Sequence, residues 1–130
     1  MTQIESKTVT VNKPAEETFN TLSDFKNFED FMPDAVTKFE ADDNSFLFAM
    51  KGMPEVRLVL DEKVEPSFIK LKSASSKLDF SLTAHINPLT EETSAVKFSF
   101  EGQFNAMLRM MVERPLKNFI EKLADQVAAL

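Results

Sequence analysis

From residue 78 to residue 86 the chain alternates without exception, with Leu78, Phe80, Leu82, Ala84 and Ile86 on one parity and Asp79, Ser81, Thr83 and His85 on the other. A second run does the same from 96 to 104, setting Val96, Phe98, Phe100, Gly102 and Phe104 against Lys97, Ser99, Glu101 and Gln103. Successive side chains of a strand point to opposite faces, so each run is a strand with one face on a core and one in water. Such half-dry strands need a second layer to cover their apolar side.

The layer follows directly. Residues 105–129 read as a long helix whose stripe is Leu108, Met111, Val112, Leu116, Phe119, Ile120, Leu123 and Val127. Arg109, Glu113, Lys117 and Glu121 recur every four residues with alternating sign, as on a solvated helix face. Pro115 lies inside this pattern and predicts a kink or a split, because it cannot donate the helical hydrogen bond.

Further strands precede the two clear ones. Residues 3–12 read as a first strand centred on Thr8–Val11, 35–41 as another, and 68–74 as a third. Phe46, Phe48 and Met50 form one apolar parity, and Val56, Leu58 and Leu60 another. Asp42-Asp43-Asn44, Gly52-Met53-Pro54 and Pro66 mark the turns between them. Two short helices interrupt this series. Pro14 opens the first, with Glu16 and Glu17 in its first turn and Ala15, Phe19 and Leu22 on one face. Ser23 or Asp24 caps the second, which presents Phe25, Phe28, Phe31 and Met32 and ends at Pro33.

Short turns join the later strands, so antiparallel neighbours are expected. The predicted fold class is α+β, a helix-grip: a curved antiparallel sheet of about seven strands around a long C-terminal helix, with two short helices after strand 1. At 130 residues, and with no linker or internal repeat, the chain reads as one domain.

Opening strand, Pro14-Ala15-Glu16-Glu17-Thr18-Phe19, Leu22-Ser23-Asp24-Phe25 and Phe31-Met32-Pro33 together resemble the START/SRPBCC superfamily, which includes pollen-allergen-like, polyketide cyclase/dehydrase-like and coenzyme Q-binding proteins. The resemblance spans the chain by element order, while its motifs lie in residues 9–33. It implies a grip around a cavity for lipids, sterols, polyketides or other apolar molecules. The glycine-rich loop of the larger plant members is missing, since the comparable turns hold only Gly52.

Composition narrows the chemistry. The net charge of −6 and the lack of a dense Lys/Arg run argue against nucleic acid and against anionic membranes. No apolar run is long enough to span a bilayer, and the first seven residues lack a signal-peptide core, so the expected location is the cytoplasm. Without cysteine there is no disulfide, thiol or thiolate metal site. Thirteen Phe, with neither Trp nor Tyr, allow a large interior that needs no hydrogen-bond partners.

Individual candidates are few. His85, the single histidine, falls on the outer parity and reads as a surface residue. Asp42-Asp43-Asn44 lacks the rest of a calcium loop and reads as a turn. Glu62 shares the parity of Leu58 and Leu60, so a regular strand would point it inward as the one weak catalytic candidate, with Arg109 as a partner if the helix rolls, whereas a bulge or strand end there leaves it in water, the reading favoured because charged groups are rarely buried unpaired. Met107, Met110 and Met111 open the last helix and read first as gap-filling core, with a pocket mouth or wall, a lid or a homodimer contact as the alternatives.

The expected ligand-binding lining is Phe46, Phe48, Met50, Leu58, Leu60, Phe80, Leu82, Phe98, Phe100, Met107 and Met111. No cofactor or metal is implied. The leading function is binding of an apolar or amphipathic small molecule, which the resemblance describes as lipid-like, polyketide-like or quinone-like. The alternatives are a cyclase/dehydratase-type enzyme and a protein-interaction module whose core the thirteen Phe fill. Periodicity leaves open whether those rings line a cavity or occupy it.

Overall fold

The fold is that of a computed structural model, which describes residues 2–32, 34, 36–50, 55–74 and 79–130. Pro33, the Gly52-Met53-Pro54 turn and Leu78 lie outside the described residues, as does Ala35 at the start of the expected 35–41 strand.

The expected first strand is two strands, β1 (Thr2–Glu5) and β2 (Val9–Val11). Both pair antiparallel with β8 (Ser94–Gly102). The interruption falls at Ser6. Its backbone N–H donates to the Phe98 carbonyl at 2.8 Å, while its hydroxyl accepts from the Phe98 N–H at 2.9 Å. The hydroxyl stands in for a backbone acceptor, so the ladder breaks without orphaning a buried donor.

Between β2 and the rest of the sheet lie helix α1 (Ala15–Ser23) and a 3-10 helix (Phe25–Phe31). Asp24 is the cap, accepting from the Lys26 N–H at 3.2 Å. Ala15, Thr18, Phe19 and Leu22 bury one face of α1, and Phe25, Phe28 and Phe31 bury one face of the 3-10 helix. Thr18 carries the only hydroxyl in that set, and it sits 2.9 Å from the Ser94 hydroxyl.

The strands β3 (Val36–Ala41), β4 (Ser45–Met50), β5 (Val56–Val64), β6 (Phe68–Ser73) and β7 (Phe80–Pro88) complete an antiparallel sheet of order β1-β8-β7-β6-β5-β4-β3. Eight strands are assigned among the described residues, against about seven expected. The two clear runs pair with each other as their alternation requires, with Leu82 opposite Phe100, Ala84 opposite Phe98 and Ile86 opposite Val96. β8 ends at Gly102, so Phe104 lies beyond it, and β7 extends to Pro88.

Helix α2 (Ala106–Ala128) runs unbroken through Pro115, so of the expected kink or split the split does not occur. Asn105 caps it, its side chain accepting from the Leu108 N–H at 2.8 Å. Val112, Leu116, Phe119, Ile120, Leu123, Ala124 and Val127 face the sheet and are buried. Before Val112 only Leu108 packs against the core, half-buried, and the other residues of 106–111 are exposed.

The turn at Asp42 shows why an Asp-Asp-Asn triplet belongs there. One carboxylate oxygen accepts from the N–H groups of Asn44 and Ser45, each at 2.8 Å, and the other accepts from the Ser45 hydroxyl at 3.0 Å. The bond from the Asn44 N–H, followed by those from Ser45 and the charge of Arg57, holds the Asp42 carboxyl below the usual carboxylate range. A carboxyl depressed by folding stabilises the protein above its unfolded pKa and loses that contribution as pH falls through the folded value. Asp42→Asn should therefore lower the urea midpoint at pH 7, and the two midpoints should converge below about pH 4. Urea titrations followed by circular dichroism between neutral and acidic pH would show it; parallel midpoint curves would contradict it.

Candidate functional site

The concave side of the sheet is occupied by a continuous run of phenylalanine rings. Phe31 meets Phe28 at 5.7 Å between ring centres, Phe28 stacks on Phe46 at 5.2 Å, and Phe46 meets Phe48 at 6.0 Å. Phe48 stacks on Phe119 of α2 at 4.8 Å with the planes 12° apart. Phe119 meets Phe100 at 6.0 Å, Phe100 meets Phe80 at 5.4 Å, and Phe80 meets Phe104 at 6.1 Å. These separations are those of rings in contact, so the rings pack against one another between sheet and helix.

The expected lining residues separate into two groups. Phe46, Phe48, Met50, Leu58, Phe80, Leu82, Phe98 and Phe100 are buried on the concave side, and Leu60 is half-buried against the same core. Met107 and Met111 are 75% and 56% exposed, and Met110 is 83% exposed, because the helix start overhangs the sheet. They do not form a wall of the packed interior.

At Glu62 the strand bulges, so the inward alternative does not hold and the wet one does. A bulge between Leu60 and Glu62 places Leu60 opposite Leu71 but Glu62 opposite Lys70. The extra residue moves Glu62 to the wet face, where it is exposed. Arg109 is also exposed, and its guanidinium donates to Glu113 at 3.0 Å. His85 is exposed as expected, 3.5 Å from the Ser99 hydroxyl. Among the described residues no three His, Asp or Glu side chains converge as a metal site.

Open space lies beside α2. A cleft of about 690 Å³ has Met50, Pro115 and Phe119 as its apolar lining, of which Pro115 is half-buried while Met50 and Phe119 are core residues that reach it by their edges. Arg114, Asn118 and Lys122 follow one another along its helical wall, and Asp34 faces them from the segment after the 3-10 helix. Lys7, Glu121 and Asp125 close one end. Of the expected lining only Met50 reaches this cleft. Phe119 and Pro115 are visible in the sequence as a stripe residue and a helix irregularity, but nothing there sets Arg114, Asn118, Lys122 or Asp34 apart from ordinary surface.

The closed end is a polar clasp. Lys7 makes an ion pair with Asp125, and its backbone N–H donates to the Glu121 carboxylate at 2.6 Å. Lys117 bonds the Glu5 carbonyl and lies 3.8 Å from Glu121. The bond to Asp125 raises the Lys7 pKa, so this ammonium is held in its charged form. Lys97, paired with Glu5, lowers the Glu5 carboxyl in turn. The loop between β1 and β2 is thereby fastened to the helix, fixing the cleft's end.

A curled antiparallel sheet gripping a C-terminal helix, with a partly apolar cleft at the helix flank, defines a helix-grip protein of the START/SRPBCC superfamily. The chain belongs to the CoxG family: residues 8–129 match the family model for the CoxG subunit of carbon monoxide dehydrogenase. No curated protein matches the sequence. Solved structures share the fold at low identity. XoxI from Bacillus cereus superposes with a TM-score of 0.77 at 9% identity, covering 99% of this chain and 94% of that one. Norcoclaurine synthase from Thalictrum flavum gives 0.74 at 16% identity, covering 98% and 92%. A START superfamily protein from Mycobacterium smegmatis gives 0.68 at 15% identity, covering 98% and 94%. Proteins of this fold typically bind hydrophobic ligands. Among the described residues no helix is long and apolar enough to cross a membrane.

Proposed function

We propose that this chain binds an apolar or amphipathic small molecule in the cleft beside α2, seated on Met50, Pro115 and Phe119. The observation that carries the proposal is a cleft open to solvent, lined by half-buried Pro115 and by the edges of buried Met50 and Phe119, beside an interior packed with phenylalanine rings. Its volume of about 690 Å³ lies within the range of small-molecule sites. Affinity would come from covering that lining, at ~25 cal/mol per Å² of apolar surface removed from water. Flexible Met50 at the end of β4 and stiff Phe119 on α2 give one adaptable wall and one rigid wall.

Native mass spectrometry of protein purified without detergent tests this. An adduct that disappears on solvent extraction is the expected result. A bare mass, together with no binding of the uncharged dye N-phenyl-1-naphthylamine, would overturn it.

A second reading, self-association, draws on the exposed Met107, Met110 and Met111 beside a filled core. Light scattering over a concentration series decides it: a dimer supports this reading and a monomer removes it.

A further inference from the structure

The charges around the cleft are unequally committed. Of its acids, Asp125 is paired with Lys7, and Glu121 accepts from the Lys7 N–H and lies near Lys117. Of its cations, Lys7 is committed to Asp125. That leaves Arg114 and Lys122, together with the Asn118 carboxamide, which are exposed and make no ion pair or hydrogen bond among the described residues. Asp34, across the cleft, is the one lining acid in the same condition.

Arg114, Asn118 and Lys122 are spaced by four, so they lie in one row on the helix over about 12 Å. The long arms at either end can swing toward Asn118 between them. Below this row lie Pro115 and Phe119, each one residue on from a member of it. A guanidinium, an amide and an ammonium thus stand over an apolar lining, with the uncommitted acid on the far wall. In a chain of net charge −6, this local excess of free cations runs against the field of the whole.

The geometry points to an amphipathic anion as the ligand class: an apolar body on Met50, Pro115 and Phe119, and a carboxylate, sulfonate or phosphate head on Arg114 and Lys122. This inference rests on the ligand-binding reading above and adds the charge of the head. Charge-assisted hydrogen bonds from Arg and Lys are the stronger kind, and beside an apolar lining they are less screened than on an open surface.

Two dyes that differ by one sulfonate test it: 8-anilinonaphthalene-1-sulfonate and its uncharged twin N-phenyl-1-naphthylamine. The chain has neither Trp nor Tyr, so dye fluorescence is read on a dark background. The sulfonate dye should bind about tenfold more tightly or better, with the preference shrinking as salt is raised. The double variant Arg114→Gln, Lys122→Gln should abolish that preference while leaving the uncharged dye's Kd within about twofold. Lys63→Gln, on the distant end of β5, should leave the preference in place, showing that losing a cation away from the cleft does not remove it. Both substituted side chains are exposed, and a matching thermal melt verifies that the double variant folds. Equal affinity for the two dyes in the parent, or an undiminished preference in the double variant, would overturn the anionic head and leave the apolar site standing. Binding of neither dye would overturn both.

Discussion

Replacing Phe46 with alanine should cost about 3–5 kcal/mol of folding stability, the usual loss for truncating a fully enclosed phenylalanine. Phe46 has no exposed surface and sits at the centre of the ring cluster, 6.0 Å from Phe25, 5.2 Å from Phe28, 5.7 Å from Phe39 and 6.0 Å from Phe48. Those neighbours come from the 3-10 helix, β3 and β4, so collapse around the gap would have to move three elements at once. The cavity term should therefore survive in full, and the lost ring contacts add to the lost transfer energy. Urea unfolding followed by far-ultraviolet circular dichroism is the suitable measurement, with the midpoint falling at unchanged slope. A loss under about 1 kcal/mol would mean that the interior is loosely packed.

Gly102→Ala should destabilise by about 1–3 kcal/mol, opposite in sign to the ordinary effect of this exchange within a strand. Gly102 ends β8 opposite Phe80, and its φ is not in the left-handed region, so alanine meets no backbone penalty there. By entropy alone alanine would stabilise by about 0.4–1 kcal/mol. Space decides the other way. An added methyl would stand 2.7 Å from the Phe80 Cβ, 2.8 Å from the Asp79 carbonyl oxygen and 3.0 Å from the tip of Phe104. The first two atoms cannot swing aside, so the β7–β8 pairing or the Phe80–Phe104 contact must yield. Thermal melts of Gly102→Ala beside Gln103→Ala, an exposed neighbour, would separate the two effects. A Gly102→Ala protein as stable as the parent would show that this end of the sheet gives way freely.

Both predictions concern parts of the fold that periodicity announces. Leu82, Ala84, Phe98 and Phe100 alternate without an error, and the structure puts every one of them inside. Helix α2 is equally plain, because its stripe recurs at the helical period from Val112 to Val127. What periodicity misses depends on a partner. Glu62 changes face because β5 carries one residue more than β6 at that point, a property of the pair. The first strand breaks at Ser6 because a hydroxyl accepts a bond from Phe98, some ninety residues on. Pro115 remains within one helix, since flanking Val112, Leu116 and Phe119 are all anchored to the sheet.

The site was less legible for the same reason. Phenylalanines on one face are equally compatible with a hollow and with a filled grip. Only the angle and distance between rings from different elements, as for Phe48 on Phe119, distinguish them. Arg114, Asn118 and Lys122 are an ordinary helix surface until Asp34 and Met50 are placed across from them.

With rings packed through the interior, a ligand is left the flank of α2. Amide NMR of the labelled protein, titrated with N-phenyl-1-naphthylamine, distinguishes the two locations. The perturbed amides should cluster at Met50, Asn118, Phe119 and Lys122. Perturbations centred instead on Phe46, Leu58 and Phe98 would contradict the flank location, for they would mean that the sheet opens and takes the molecule within.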